Sequence, residues 1–409
     1  MNFKEEIKKV LPENLHNLIT ETADSSKGDY TIACFSLAKE MRKSPVLIAN
    51  EICESVKERA LFEKVEAVNG YVNFFINKGY AVSKVLTGFK QNGTKLFKTN
   101  VGNGKKVCID YASVNLAKYM HIGHLCTTII GESIARILTC CGYEVVRMNY
   151  VGDYGTPFGK MICGYKLWGS KEEVETRGID AIQDYYVQFC RHEDDETYAQ
   201  MARDCFTKLE NKDPEILEIY NWFIEISVKE TERLCNRLGV RFNDWRGENY
   251  YSDKMWPVLK ELEEKGILKD GENGAKIVEL DELGVSVLLK KDGSSLYQTR
   301  DLGAACDRFE EYKFDKCMYV TDISQKLHFA QFFKILKMLN KPFAENLEHI
   351  AYGRFSLPEG KISSRLGKQA LAKDIMNEAT NRAREIIKDI CNIHAFIKFI
   401  FFKSITRST

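Results

Sequence analysis

The feature that most constrains the fold is an apolar segment, a helical pattern and a second apolar segment that follow one another in the chain. Residues 106–109 form a short and mainly apolar segment, which predicts a buried strand. Apolar residues then recur at helical spacing over residues 125–141, and Gly142 supplies a stop signal. Residues 145–151 predict the next strand. Because neighbouring parallel strands need a crossover helix, this order predicts a βαβ unit in a parallel sheet.

Two histidines, His121 and His124, fall where the predicted helix begins. A helix N-terminus has unpaired N–H groups and a partial positive charge, so it suits phosphate. Side chains three apart share a helix face, and these two can donate hydrogen bonds to a phosphate that gains charge in a transition state. Gly123 leaves room for a flat adenine ring against the backbone. The alternatives are a metal-binding pair and two ordinary surface histidines, but Asn115 and Lys118 just upstream favour a phosphate site.

Composition narrows the class of protein. The chain has 409 residues, enough for two or three domains, and a net charge of +1, so any RNA contact must come from a local surface. Thirteen cysteines with no CxxC pair, two of them adjacent at Cys140 and Cys141, favour reduced thiols in a cytoplasmic protein over disulfides or a structural zinc site. No apolar segment reaches the roughly 18 residues that span a bilayer, so we expect no membrane contact.

The chain divides into four predicted parts. These are a small α+β domain (1–90), a polar linker (91–104), an α/β domain (105–370) with a helical insertion at about 171–265, and a final helical segment (371–409). Strands predicted at 275–280, 285–289 and 316–320 follow the insertion, and we expect one parallel sheet. Asn69-Gly70 predicts a hairpin turn in the first part, and Asp213-Pro214 predicts a helix start in the insertion.

Residues 110–124, Asp-Tyr-Ala-Ser-Val-Asn-Leu-Ala-Lys-Tyr-Met-His-Ile-Gly-His, resemble the first signature of class I aminoacyl-tRNA synthetases in the form used by arginyl-tRNA synthetases. Four further segments resemble the same family in the same order: 70–76, 150–159, 297–301 and 324–333. The resemblance extends to about residue 390. It implies a Rossmann-like catalytic domain that activates L-arginine with ATP to arginyl-adenylate and transfers it to tRNA(Arg), with Mg²⁺ accompanying ATP.

The guanidinium of an arginine substrate needs particular partners in its binding site. A guanidinium offers donors in a fixed planar fork, which paired carboxylates and a phenol can accept. Asp110, Asp301 and Tyr297 would meet that need, and the resemblance assigns them this role. It also places Asn115 and Gln325 at the α-amino group of the substrate. The alternatives are an ion pair between Asp301 and the arginine that precedes it, and a core position for Tyr297.

Activation of arginine is attack of its carboxylate on the α-phosphate of ATP, so positioning and charge stabilisation matter and we expect no nucleophilic residue. Residues 360–367 resemble the family's phosphate-clamping loop, but Leu366 stands where the family more often has lysine. The resemblance implies that a lysine before the first signature compensates. Lys118, Lys361 and Arg365 are therefore the candidate phosphate cations, and the alternative for the loop is a solvated basic segment.

Residues 1–90 resemble the family's domain that grips the elbow of tRNA. Tyr71 can stack on an unpaired base and the amide of Asn73 can read a base edge, and Asn69 is a further candidate. The alternatives are ordinary strand and turn positions.

The C-terminal segment departs from the family. Residues 371–390 resemble the first helix of the family's anticodon-binding bundle, but residues 395–402 are apolar and β-prone. We expect a truncated, monomeric enzyme. Two alternatives remain: a silent remnant that binds ATP, arginine or tRNA weakly, and a nucleotidyltransferase that shares the histidine motif.

Overall fold

A computed structural model of the chain describes residues 3–57, 59–116, 118–353 and 370–386. The chain forms two compact units, Met1–Thr99 and Asn100–Thr409. The predicted phosphate cations Lys361 and Arg365 lie outside the described residues, as does the apolar segment 395–402.

The first unit is a helix-covered antiparallel sheet. Its helices are α1 (Phe3–Lys8), α2 (Ala38–Met41), α3 (Pro45–Val56) and α4 (Lys78–Asn92), and its strands are β1 (Ile19–Glu21), β2 (Tyr30–Ala33), β3 (Phe62–Val68) and β4 (Tyr71–Ile76). The strand order is β1-β2-β4-β3, and α3 packs against β3 and β4. Asn69 and Gly70 both have positive φ, 49° and 84°, and form the two-residue turn that the sequence predicts between β3 and β4. Residues 91–104, which the sequence analysis gives as a linker, include the end of α4 and a 3₁₀ helix over Gly93–Phe97.

The second unit contains a parallel sheet, a helical insertion and a small antiparallel sheet. Its helices are α5 (Ile122–Cys140), α6 (Thr156–Trp168), α7 (Lys171–Arg177), α8 (Ile179–Cys190), α9 (Glu196–Glu210), α10 (Pro214–Arg237), α11 (Glu248–Tyr251), α12 (Met255–Glu264), α13 (Tyr297–Tyr312), α14 (Lys326–Met338) and α15 (Ala372–Ile386). Its strands are β5 (Lys106–Asp110), β6 (Glu144–Met148), β7 (Lys269–Asp270), β8 (Lys276–Glu279), β9 (Val285–Leu289), β10 (Lys316–Asp322) and β11 (Leu347–Tyr352).

The parallel sheet has the order β11-β10-β5-β6, with Cys108 of β5 paired to Cys317 on one side and to Val146 on the other. Val107, Cys108 and Ile109 are buried, as expected of a strand covered on both faces. From β5 the chain adds β6 on one side and later β10 and β11 on the other. The crevice outside the carboxyl ends of β5 and β10 is therefore a topological switch point, where open α/β sheets bind ligands. This topology confirms the predicted α/β class.

Helices α6–α10 share a core of their own around Phe158, Phe189 and Phe223, whereas α12 packs in the core that includes the parallel sheet. Helix α10 starts at the predicted site, where Asp213 Oδ1 accepts from the Ile216 N–H at 3.2 Å. None of the described helices is both long and apolar enough to cross a bilayer.

The expectation of one parallel sheet after the insertion is wrong for two strands. β8 and β9 join β7 in a separate antiparallel sheet of order β7-β8-β9. The physical reason is loop length: only five residues connect Glu279 to Val285, enough for a hairpin but too few for the crossover that a parallel pair requires.

Candidate active site

A cavity of about 770 Å³ opens at the switch point of the parallel sheet. We call it the sheet-end cavity. Its walls come from the end of β5, the loop after β6, helix α13, the end of β10 and the start of α14. All five residues predicted for the arginine site line it: Asp110, Asn115, Tyr297, Asp301 and Gln325. The fold thus brings together side chains that are up to 215 positions apart between Asp110 and Gln325 in the sequence.

Asp110 ends β5 and is 4% exposed. Its Oδ2 lies 2.7 Å from Nη1 of Arg308, and its Oδ1 accepts from the Tyr150 N–H at 3.3 Å. Burial raises the pKa of Asp110, and the charge of Arg308 acts in the opposite direction. The guanidinium of Arg308 is itself enclosed by tyrosine rings 5.1 to 5.9 Å away: Tyr150, Tyr251 and Tyr319. The charge of Asp110 is therefore already matched by an arginine of this chain.

Sequence reasoning missed Arg308. A signal was present, because Arg308 lies seven residues after Asp301, and this spacing places two side chains on the same face of a helix such as α13. Its apolar helix neighbours Leu302 and Ala305 are fully buried.

Asp301, in the first turns of α13, has a histidine as its partner. Nε2 of His328 lies 2.9 Å from Asp301 Oδ2. The alternative of an ion pair with the preceding arginine is wrong, because Arg300 pairs with Glu248 at 2.6 Å. Arg300 also faces the ring of Tyr154 at 5.1 Å. Asp301 is thus the carboxylate of the described cavity lining that no arginine among the described residues engages.

Tyr297, Asn115 and Gln325 complete the cavity wall. The core position considered for Tyr297 is wrong, because the side chain is 52% exposed. Asn115 forms a backbone bridge with Gly152, and a Cβ on Gly152 would lie 2.4 Å from Asn115 Oδ1. The absence of a side chain at position 152 therefore leaves the space that the Asn115 amide occupies. Gln325 is exposed at the N-cap of α14.

The histidines lie at the N-terminus of α5, outside the described lining of the sheet-end cavity. Nδ1 of His121 accepts from the Gly123 N–H at 3.1 Å, and Nδ1 of His124 accepts from the His121 N–H at 3.2 Å. The rings stack with centroids 3.7 Å apart. Burial lowers the pKa of both imidazoles, most strongly for His124, where the charges of His121 and Lys118 add to the effect. Because each neutral ring accepts at Nδ1, its proton resides on Nε2, and both rings hold a donor ready for an anion.

Gly123 has a neighbour that the sequence did not predict. A Cβ at this position would lie 3.0 Å from Cε1 of His121, so glycine leaves space for that imidazole.

Lys118 contacts helix α8. Its Nζ lies 4.5 Å above the ring centre of Tyr186 and 3.3 Å from its hydroxyl.

The residues that flank segment 354–369 contact the histidine region. The Ile122 N–H donates to the Ala370 carbonyl at 2.9 Å, and the Tyr352 hydroxyl donates to the Gly123 carbonyl at 3.3 Å. The first turn of α5 is thus bonded to residue 370 through an N–H group and to the end of β11 through a carbonyl.

In the first unit, Tyr71 is 42% exposed and lies edge-on to Phe35, which is 51% exposed. Asn73 is 8% exposed, and its Oδ1 accepts from the Thr31 hydroxyl at 2.8 Å. Tyr71 is accessible, whereas Asn73 is a satisfied strand residue. Phe35 was not identified from the sequence, where a single aromatic in a mixed segment gives no signal.

A parallel sheet whose first crossover helix starts at a histidine pair, beside a cavity at the switch point, defines the catalytic core of a class I aminoacyl-tRNA synthetase. The family model described as "tRNA synthetases class I (R), catalytic domain" matches residues 84–394, and "Arginyl tRNA synthetase N terminal domain" matches residues 1–76. The chain belongs to the arginyl-tRNA synthetase family.

Curated relatives and solved structures agree with this assignment. The chain is 41% identical over 390 residues to an arginine–tRNA ligase of Clostridioides difficile, covering 94% of this chain and 68% of the relative. It is 39% identical to that of Alkaliphilus metalliredigens, covering 95% and 70%. The arginyl-tRNA synthetase of Plasmodium falciparum superposes with a TM-score of 0.62 at 25% identity, covering 97% and 70%. The Thermus thermophilus structure shares the fold, with a TM-score of 0.64 at 19% identity, covering 98% and 74%.

Proposed function

We propose that this chain activates L-arginine with ATP and transfers the arginyl group to tRNA(Arg). The observation that supports this most is the sheet-end cavity, whose lining includes Asp110, Asn115, Tyr297, Asp301 and Gln325. Membership of the arginyl-tRNA synthetase family supports the same reaction.

The charges of the cavity indicate how arginine is held. Asp110 is paired with Arg308 and Glu248 is paired with Arg300. Within the part of the chain that the structure describes, Asp301 pairs with a histidine and no arginine or lysine, so we assign it to the substrate guanidinium. We propose that Asp301 forms the ion pair with the substrate guanidinium. Asp110, which is already paired with Arg308, accepts a further hydrogen bond from the guanidinium, and Tyr297 lies against its face. Asn115 and Gln325 bind the α-amino group.

In the activation step, a carboxylate oxygen of arginine attacks the α-phosphorus of ATP, and the bond from that phosphorus to the oxygen bridging to the β-phosphate breaks. Pyrophosphate leaves with the bridging oxygen and its electron pair. The Nε2–H groups of His121 and His124 donate to the phosphate oxygens as negative charge builds there. Lys118, Lys361 and Arg365 supply positive charge to the departing pyrophosphate, and Gly123 borders the adenine.

Magnesium enters with ATP as part of the substrate. The described residues hold no cluster of three or more His, Cys, Asp or Glu side chains suited to a resident ion. In its role with ATP the ion is bound chiefly by the phosphates and keeps several waters.

In the second step, a ribose hydroxyl at the 3′ end of tRNA attacks the carbonyl carbon of the adenylate and AMP leaves. Tyr71 stacks on an unpaired base at the tRNA elbow, which its exposure favours. The contribution of Asn73 is smaller, because its amide oxygen is already engaged by Thr31. The described cysteines are free thiols, which suits an enzyme of the reducing cytoplasm. We further propose that the enzyme is a monomer.

The test is arginine-dependent exchange of pyrophosphate into ATP, measured with and without tRNA(Arg). We expect exchange that requires arginine, and a loss of at least about a hundredfold in a His121→Asn/His124→Asn variant, in which the amide at position 121 keeps a cap acceptor. Arginine and ATP binding without exchange would favour the silent remnant. The nucleotidyltransferase alternative requires AMP transfer to a substrate other than an amino acid, and the family assignment gives it no support.

A further inference from the structure

The partner of Asp301, His328, is itself enclosed. Its side chain is 8% exposed and lies in the first turn of α14. Tyr297 of α13 lies 4.8 Å from its ring, and Phe332 stacks on it at 6.1 Å with the planes 11° apart. These contacts fix the imidazole plane and therefore the direction of its bond to Asp301.

The two ring nitrogens of His328 have different surroundings. Nε2 lies 2.9 Å from Asp301 Oδ2, so it carries the donated hydrogen. Nδ1 is buried and has no hydrogen-bond partner in the described part of the chain. The bond to Asp301 is therefore the hydrogen bond that orients this ring among the described residues.

A single imidazole donor differs here from a guanidinium. An arginine at position 328 could engage both oxygens of Asp301 through its planar fork. The imidazole of His328 contacts Oδ2 through one nitrogen. Asp301 Oδ1 has no hydrogen-bond partner among the described residues that line the cavity.

We propose that His328 is a positioning residue for arginine recognition: its Nε2–H holds Oδ2 of Asp301, so that the carboxylate presents Oδ1 to the substrate guanidinium. This inference rests on the proposed function and extends it, since it names the residue that sets the orientation of the charge-bearing acid.

The experiment compares the full chain with three variants by isothermal titration of arginine and, separately, of ATP. His328→Phe keeps a flat ring but removes the donor, and His328→Gln keeps a donor at similar reach. His349→Gln is the matched control, because His349 is half-buried beside Phe329, bonds to Thr321 and makes no contact with Asp301. Thermal unfolding of each variant establishes that it is folded.

We expect His328→Phe to weaken arginine binding about tenfold to a hundredfold, the range for a hydrogen bond to a charged group, and to leave ATP binding unchanged. His328→Gln should recover most of the loss, and His349→Gln should bind arginine as the wild type does. If the substitution acts only through packing, His328→Gln will lose as much as His328→Phe, which overturns the proposal.

The outcomes separate this inference from the proposed function. If the wild-type chain binds arginine and His328→Phe binds it equally well, only the role of His328 is wrong. If the wild-type chain binds no arginine, the proposed function fails and this inference fails with it.

Discussion

Two buried arginines, Arg300 and Arg308, form ion pairs with two of the three carboxylates that line the described cavity. The pairing of Arg308 with Asp110 is almost completely enclosed, at 2% and 5% side-chain exposure. Such a pair contributes little net stability compared with apolar residues, but losing one partner leaves an uncompensated buried charge.

Arg308→Leu should therefore lower the free energy of unfolding by about 3–5 kcal/mol. The double variant Arg308→Leu/Asp110→Asn should be less destabilised than Arg308→Leu alone, since no buried charge remains. Guanidinium chloride unfolding measures both. Arg203→Leu is the control, because that side chain is half-exposed on α9 and surface pairs contribute little. An unfolding free energy for Arg308→Leu within about 1 kcal/mol of the wild type would contradict this account.

The histidine pair makes stability depend on pH. Burial lowers the pKa of His121 and His124 below the unfolded value of 6.5, so the unfolded chain binds more protons just below that pH. The contribution of the pair is complete above pH 6.5 and is lost as the pH falls. We expect the wild type to lose about 1–2 kcal/mol more than His121→Asn/His124→Asn between pH 7 and pH 5. Parallel pH profiles of unfolding for the two proteins would be inconsistent with buried neutral imidazoles.

At the scale of elements, the loop after β6 positions Asn115 through Gly152. A Cβ at position 152 would overlap Asn115 Oδ1, so Gly152→Ala must displace the amide that we assign to the substrate amino group. We expect at least a tenfold higher KM for arginine with little change in KM for ATP, because small misplacements of binding groups are costly. Gly353→Ala is the control, since no atom of the described residues lies within 4 Å of a Cβ at that position. An unchanged KM for arginine would exclude a role for Asn115.

Elements whose signals are local could be predicted from the sequence. The β5–α5–β6 unit, the Asn69–Gly70 turn and the cap at Asp213 each follow from neighbouring residues. The separate sheet β7-β8-β9 was missed because apolar strands alone do not reveal their partners. Arg308 and His328 were missed for a related reason: their role depends on contacts with residues distant in sequence, and a charged or polar residue within a helix is more often on the surface.

At the scale of the molecule, each unit presents a distinct surface. The first unit exposes Tyr71 and Phe35 together, whereas the second encloses the cavity. Base stacking on one aromatic contributes about 1–3 kcal/mol, so Tyr71→Ala should weaken binding of tRNA(Arg) about tenfold while leaving arginine binding unchanged. Phe97→Ala, at another exposed aromatic of that unit, is the control. Filter binding of labelled tRNA measures the effect, and equal affinities for the two variants would remove Tyr71 from the interface.

The central claim is that the sheet-end cavity selects a cationic side chain through the charge of Asp301. The most direct measurement is calorimetric titration of the full chain with arginine and with citrulline, its neutral isostere, repeated for Asp301→Asn. The wild type should prefer arginine by about a hundredfold, the scale of a charge-assisted bidentate pair, and the variant should lose most of that preference. Equal binding of the two ligands by the wild type, or an undiminished preference in Asp301→Asn, would contradict the claim.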